Sequence, residues 1–311
     1  MAKIVGPGSL VVDVTGFAPH LPKAGETVKG TTLRFGSGGK GSNQMTAAHR
    51  AGAEVKIIGC MGDDFLGRII REHYETEGMS MEHIKINPAA ETGSALIEID
   101  EKDAQNRIIV ILGASETVDN KSVYNAESEF SSCDAVLTQF ETTPEAVIAS
   151  KELAKKYNKP FILNPAPYIP MPLDFYNGVD YITPNETEAE ELTGIKVDTL
   201  EDCRNASAKL MEMGVKNVII TLGKRGAYFR DADKEIEVSP ISVKAVETTG
   251  AGDAFNGGFA CAVAEGMSIE NALKFATCTA AISVTRVGSG PSMPQRHEIA
   301  ELMQKEYNIC I

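Results

Sequence analysis

Short apolar runs rich in β-branched residues recur along the first two thirds of the chain, each followed by a stretch whose apolar positions fall three and four apart. Runs at 55–59, 135–138, 161–164, 181–183 and 218–221 predict buried parallel strands, and 65–76, 144–157, 186–193 and 200–213 predict amphipathic helices. This alternation implies helices flanking a mostly parallel sheet. From Asp253 onward the pattern is helical, over 255–264, 269–284 and 298–307. Two segments, about 14–36 and 92–112, break the rhythm. They hold strand-like runs such as SALIEID and NRIIVILG with the turn signal EKDAQN between them and no helix, which predicts a small antiparallel flap. Repeats, low-complexity tracts and Pro-rich linkers are not detectable, so residues 1–311 are expected to form one domain with the flap as its subdomain.

A chain of 311 residues can bury a large core, and its formal net charge of −13 excludes the clustered Lys and Arg that nucleic acid or an anionic membrane would require. The N-terminal apolar run is too short for a signal peptide, and later runs fall short of about 18 apolar residues, so a cytoplasmic location is expected. Cys60, Cys133, Cys203, Cys261, Cys278 and Cys310 lack metal-ligand or disulfide spacing and read as reduced, mostly packed thiols. The five histidines are spaced neither as ligands nor as part of a triad.

Ligands of open α/β sheets sit beyond the carboxyl ends of the strands, where loops lead into helix N-termini. Three glycine-rich stretches qualify. GSGGKGSN (36–43) formally matches G-x-G-x-x-G at Gly36, Gly38 and Gly41 ahead of a helix, QMTAAHRAG. That fingerprint is weak without a surrounding βαβ unit, which leaves a nicotinamide-dependent oxidoreductase as a distant reading. Lys40 is followed by Gly41 rather than Ser or Thr, which excludes a Walker A loop. TLGKRG (221–226) follows an apolar run and reads equally as a hairpin turn into AYFR or as a nucleotide contact. TTGAGDAFNGG (248–258) places Gly250, Ala251 and Gly252 directly before Asp253. The two glycines let successive N–H groups point at one spot, reinforced by the helix dipole. A carboxylate there is either a helix cap or a base that takes a proton from an attacking hydroxyl while the amides hold phosphoryl oxygens. The stretch alone supports both readings.

GGKGSNQ (38–44), NPAP (164–167), TPNETEAEELTG (183–194), TLGKRG, TTGAGDAFNGG and VTRVGSGPSMP (284–294), in this order and spacing, resemble the PfkB carbohydrate kinase family, within it the ribokinase branch. The resemblance covers essentially the whole chain. It implies a ribokinase-like three-layer α/β fold with an antiparallel β lid used for homodimerisation, and transfer of the ATP γ-phosphoryl to a sugar primary hydroxyl, D-ribose giving D-ribose 5-phosphate. It implies Asp253 as the catalytic base and Gly250, Ala251 and Gly252 as the anion hole. Val11, Asp13, Gly39, Lys40, Gly41, Asn43 and Glu141 fall on sugar-binding positions, where the carboxylates accept from hydroxyls and Lys40 and Asn43 donate. Asn185, Thr221, Leu222, Gly223, Lys224, Arg225, Gly226, Gly252 and Thr277 fall on nucleotide-binding positions. Asn185 and Glu188 form an N-x-x-E signature tied to Mg²⁺ through water, as a hard ion with retained waters prefers. Glu247, Thr249, Ser283, Arg286, Gly288 and Ser292 match a monovalent-cation site, for which K⁺ is expected.

Three positions depart from the family pattern. Glu247 replaces an aspartate, and its extra methylene can displace a cation ligand. Val11 replaces a frequent polar sugar contact, which weakens discrimination at one carbon of the sugar. LGASE (112–116) replaces a Gly-Ala-Asn, a change without a physical account. Deoxyribose, a ketose or a nucleoside is the rival acceptor, and a non-catalytic sugar or nucleotide sensor the rival class.

Overall fold

The computed structural model describes residues 1–102 and 105–311. The elements are β1 (Lys3–Pro7), β2 (Val11–Ala18), β3 (Thr32–Gly38), α1 (Lys40–Arg50), β4 (Glu54–Gly62), α2 (Phe65–Glu77), β5 (Ile84–Asn87), β6 (Gly93–Asp100) and β7 (Asn106–Ile111). They continue with α3 (Asn120–Asn125), α4 (Glu127–Ser132), β8 (Ala135–Gln139), α5 (Pro144–Lys156), β9 (Phe161–Asn164), β10 (Tyr181–Ile182), α6 (Glu186–Thr193) and α7 (Leu200–Glu212). The last are β11 (Asn217–Thr221), β12 (Ala227–Arg230), β13 (Glu235–Val238), α8 (Ala251–Ala264), α9 (Ile269–Ser283) and α10 (Arg296–Tyr307).

Nine strands form one sheet in the order β13-β12-β11-β10-β9-β8-β1-β4-β5. Pairings from β11 through to β5 are parallel, and β12 and β13 add an antiparallel edge. Alternate residues serve opposite faces: Ile4, Leu137 and Ile219 enter one apolar core, and Val5, Val136 and Ile220 enter the other. Both faces are therefore covered by helices, which is why these strands read as continuous apolar runs. From β8 the chain order runs outward one way through β9 to β11, and from β1 it runs the other way through β4 and β5. The reversal opens a crevice at the carboxyl ends of β1 and β8. Ser9, Val11 and Asp13 follow β1, and Glu141 follows β8.

Four strands form a second sheet, β3-β2-β6-β7. The expectation of an antiparallel flap needs correction. β2–β3 and β6–β7 are antiparallel, but the central pair β2–β6 is parallel, from Val11 opposite Gly93 to Ala18 opposite Asp100. Each strand of that pair comes next in the chain after a strand of the main sheet, β1 and β5, which run in the same sense. They therefore run side by side before each doubles back as a hairpin. The predicted turn EKDAQN includes residues 103 and 104, which lie outside the described residues.

A second difference lies in GSGGKGSN. The helix after it begins at Lys40 rather than at Gln44, with Gly39 as its N-cap at φ 85°. Positive φ is the conformation that only glycine adopts without strain, and here it turns the strand directly into the helix. Residues 40–43 thus form the first turn of α1, where their side chains are fixed. α1 packs against α8 through Gly257: a methyl group there would stand 2.5 Å from Ala47 Cβ and collide with the Gln44 carbonyl. Gly257→Ala should therefore push the helices apart, destabilising the fold by about 1–3 kcal/mol of overpacking and lowering turnover. Urea unfolding and steady-state assays with unchanged values would show that this contact does not set the helix spacing.

Candidate active site

Helix α8 starts at Gly250, which takes φ 80° as the N-cap. Asp253 is in the first turn, yet its carboxylate makes no capping bond. It points across to α1, where Asn43 Nδ2 donates to Oδ2 at 3.0 Å and Gln44 Nε2 donates to Oδ1 at 3.0 Å. Asp253 is 7% exposed. The capping reading left open by the sequence is thus removed, since the side chain is held by another helix. Among the helix-start amides, Ala251 N–H donates to Thr248 O at 3.2 Å, whereas the N–H groups of Gly252 and Asp253 have no partner among the described residues. Nothing outside the helix lies within 4 Å of where a Gly252 side chain would be, so the helix start is open on that side.

The second layer behind Asp253 is a chain of buried amides. Gln44 Nε2 also reaches Asn164 Oδ1 at 2.9 Å, and Gln139 Nε2 donates to Gln44 Oε1 at 2.8 Å. Asn164 Nδ2 donates to Thr183 O at 3.0 Å, Thr183 Oγ1 to Asn256 Oδ1 at 2.5 Å, and Asn256 Nδ2 to Gly252 O at 2.9 Å. The network runs from the carboxylate through the ends of β8, β9 and β10 and returns to the glycine beside it. Buried polar groups linked this way fix one geometry, because any displaced member leaves a costly unpaired dipole. Gln44, Gln139, Asn164, Thr183 and Asn256 were not singled out from the sequence as site residues. Gln44, Asn164, Thr183 and Asn256 lie inside the quoted motifs, and for Gln44, Asn164 and Asn256 an amide side chain within a motif of mostly small residues is the signal that marks them.

Glu141 is also 7% exposed. Its Oε2 accepts from Ser9 Oγ at 2.6 Å and from the Lys40 amide at 2.8 Å, while Gly41 N–H donates to Ser9 Oγ at 3.2 Å. Asp13 Oδ2 accepts from Ser289 Oγ at 2.5 Å. Gly38 lies against Asp13 so closely that any side chain there would collide with the carboxylate. Asn43 Oδ1 is buried and unpartnered among the described residues, so one buried acceptor faces no protein donor.

Electrostatics join these groups. Burial pushes Asp13 up to about 6 against the Ser289 hydrogen bond, with Asp253, Glu141 and Glu247 adding to the rise. Burial lowers the Lys40 ammonium, but the charges of Asp253, Glu141 and Glu188 together hold it above its ordinary value. Glu188 is pushed up to about 7 by burial, opposed by the Asn185 amide and Lys40 and assisted by Asp253 and Glu191. Glu141, Glu188 and Asp253 thus surround a single lysine, with Asp13 facing Asp253 and Glu141, and such a set attracts a cation.

Asn185 and Glu188 form a reciprocal capping box at the start of α6. Glu188 N–H donates to Asn185 Oδ1 at 2.9 Å, and Asn185 N–H and Nδ2 donate to the Glu188 carboxylate at 2.9 and 3.0 Å. Thr221 ends β11 and bridges to Asn185, and Leu222 N–H donates to Gly226 O at 2.8 Å, closing the expected hairpin turn. Gly223 and Lys224 are exposed, and both loop glycines have positive φ, 51° at Gly223 and 92° at Gly226. Arg225 instead braces the segment after α6, donating to Asp198 O at 2.5 Å and Val197 O at 3.1 Å. Thr277 is buried in α9 with its hydroxyl on Leu273 O at 2.8 Å.

Around α8, Glu247 Oε2 accepts from Gly288 N–H at 2.9 Å, which joins the segment before α8 to the loop after α9. Ser283 Oγ donates to Ala280 O, Ser292 Oγ to Ser289 O, and Arg286 pairs with Glu298. The other Glu247 oxygen and the carbonyls of Thr249, Arg286 and Gly288 have no partner among the described residues. Elsewhere, Glu82, His83 and Glu129 bring ligand atoms within 4.8 Å of one another, but Lys56 Nζ already supplies the cation there, 2.7 Å from Glu82. Among the described residues, no helix is long and apolar enough to cross a membrane.

The chain resembles known proteins along nearly its whole length. The family described as pfkB family carbohydrate kinase matches residues 1–296. Ribokinase of Haemophilus influenzae is 36% identical over 297 residues, covering 96% of this chain and 97% of its own. Deoxyribokinase of Salmonella typhi is 33% identical over 297 residues, covering 95% and 97%. The structure of Arabidopsis thaliana ribokinase complexed with ribose and ATP superposes with a TM-score of 0.89 at 32% identity, covering 98% of this chain and 99% of that one.

Proposed function

Because the chain belongs to the pfkB family of carbohydrate kinases, we propose that it phosphorylates the primary hydroxyl of D-ribose with ATP, giving D-ribose 5-phosphate and ADP. The observation that carries this reading is Asp253, held by two side-chain amides instead of capping its helix, beside the unpartnered amides of Gly252 and Asp253. The sugar hydroxyl attacks the γ-phosphorus in line as its proton passes to the Asp253 carboxylate. The new O–P bond forms while the bond from the γ-phosphorus to the ADP oxygen breaks, and the free amides take up charge on the transferred oxygens. Asp13, Glu141 and Asn43 Oδ1 accept from the remaining hydroxyls, and Lys40 donates. TLGKRG, with Thr277 from α9, contacts the nucleotide, and the four-stranded sheet closes over the sugar to exclude water.

The donor set fits Mg²⁺: Asn185 and the buried, cation-seeking Glu188 would hold it through water, and the ion would neutralise the ATP phosphates. K⁺ would be held by the free Glu247 oxygen and the carbonyls of Thr249, Arg286 and Gly288, with Ser283 and Ser292 nearby. Glu247 itself already ties the two loops through Gly288, so the dependence on K⁺ is expected to be weak. The free thiols, five of them buried, suit a cytoplasmic setting.

A second acceptor, deoxyribose, is favoured by Val11. It is buried in a small apolar cluster with Ala95 and Ile97 and touches Gly39, so this wall offers no partner to a hydroxyl. Assembly is proposed through the four-stranded sheet. All of β7 is exposed, and Ile108, Ile109, Val110 and Ile111 in succession are 44–63% exposed, an apolar edge that a second copy would cover.

ADP release from Mg-ATP with a panel of pentoses, hexoses and nucleosides, with and without K⁺, tests the acceptor. Turnover should be highest with ribose or deoxyribose, and silence across the panel would favour a sensor. Asp253→Asn should lower turnover by roughly 10² to 10⁴-fold while both substrates still bind; near-normal rates would remove its role as base. Ile109→Lys combined with Val110→Lys should shift the sedimentation of the protein from dimer to monomer, and an unchanged species would refute this interface.

A further inference from the structure

Ser289 touches two parts of the site that come from distant segments. Its hydroxyl donates to Asp13 Oδ2, and its main chain is seated on Gly250, where an added methyl group would lie 3.1 Å from both its Cα and its Cβ. The residue is 3% exposed. Its neighbours fix it: Gly288 N–H is held by Glu247 at 2.9 Å, Ser289 O accepts from Ser292 Oγ at 2.8 Å, and Met293 N–H returns to Gly290 O at 3.3 Å. Asp13 Oδ1 has no hydrogen-bond partner among the described residues.

Resting on the sugar-kinase reading above, we propose that Ser289 is a positioning residue for the acceptor. Its hydroxyl engages Oδ2 of Asp13 and leaves Oδ1 for the sugar, and its seat on Gly250 registers that carboxylate against the anion hole. The donation also favours the ionised form of Asp13. Three charged groups oppose ionisation: Asp253 on α8, Glu141 after β8 and Glu247 before α8. Lys40 from α1 offsets Asp253 and Glu141, and the strands flanking Asp13 present only Gly36, Gly38 and Ala95 beside it. An ionised carboxylate accepts hydrogen bonds from sugar hydroxyls more strongly than a protonated one, so sugar affinity is present above its pKa and lost as pH falls through it. Removing the donor raises that pKa and moves the loss to higher pH.

The test is Ser289→Ala, with kcat/KM for the sugar followed from pH 5.5 to 9. The acidic limb should move up by about one pH unit. The sugar KM should rise about 3-fold at pH 6.5 and return near the wild-type value at pH 9, with the ATP KM changed less than about twofold. In an Asp13→Asn background the same substitution should have no further effect. An unshifted limb, or an equal penalty in the Asp13→Asn background, would overturn the proposal. If the alanine variant melts early, Ser289→Cys, a weak donor of similar size, should give an intermediate limb, and a wild-type limb in that variant would overturn it too. Absence of sugar turnover in the unmodified chain would sink the kinase reading itself, whereas turnover with an unmoved limb would sink this inference alone.

Discussion

The pair of hydrogen bonds from Asn43 and Gln44 to the Asp253 carboxylate is the constraint on which the rest of the site depends. It ties residues more than two hundred positions apart, on two helices that touch through a glycine. A carboxylate at a helix start would by default turn back and cap its own amides. Here the amide groups of α1 draw it away, and the helix amides are left free for a ligand. One arrangement therefore supplies both elements that the proposed reaction needs, a carboxylate oriented by two donors and helix-start amides without a partner among the described residues. The buried amides behind Gln44 make the orientation rigid, because Gln139 Nε2 and Asn164 Oδ1 are both held by the Gln44 side chain.

Charge is the second organising feature. Burial, helped by the neighbouring carboxylates, raises the proton affinity of two members of the cluster of Asp13, Glu141, Glu188 and Asp253: Asp13 to about 6 and Glu188 to about 7. The fold accepts this electrostatic load because each carboxylate has at least one fixed donor: Ser289, the Lys40 amide, the Asn185 amide, and Asn43 with Gln44. The load is also useful. An excess of buried negative charge next to a lysine is a poor place for bare triphosphate, so in the proposed reaction charge balance would favour a triphosphate accompanied by a divalent cation.

Much of this was legible in the sequence, for identifiable reasons. Buried parallel strands such as Phe161–Asn164 and helices with clear stops such as Glu186–Thr193 were predicted to the residue, because apolar runs and the left-handed Gly194 leave little choice. β5 and β13 escaped because they are short and half exposed, and the helices at 120–132 because they are too short to show a period. The direction of β2 against β6 is a property of how both segments leave the main sheet, which local pattern does not encode. Within the site, the charged positions stood out from the motifs that carry them. The amides behind Asp253 did not, because glutamine and asparagine are ordinary surface residues and become informative only once burial is known. Ser289 illustrates the same limit, since nothing near it in sequence points to Asp13.

Glu247 shows how a departure from a family pattern is absorbed. The segment before α8 and the loop after α9 must be held together, since the first delivers Gly250 and the second delivers Ser289. A cation bound between carbonyls achieves this by attracting oxygens from both sides. The glutamate carboxylate accepts from the Gly288 amide, a charge-assisted hydrogen bond within the chain that joins the two segments by itself. This bond needs no ion to form. The oxygens that remain without partners, one on Glu247 and the carbonyls of Thr249, Arg286 and Gly288, still face a net need for positive charge. The two modes therefore add: the carboxylate sets the spacing of the loops, and an ion between them would tighten a contact that already exists.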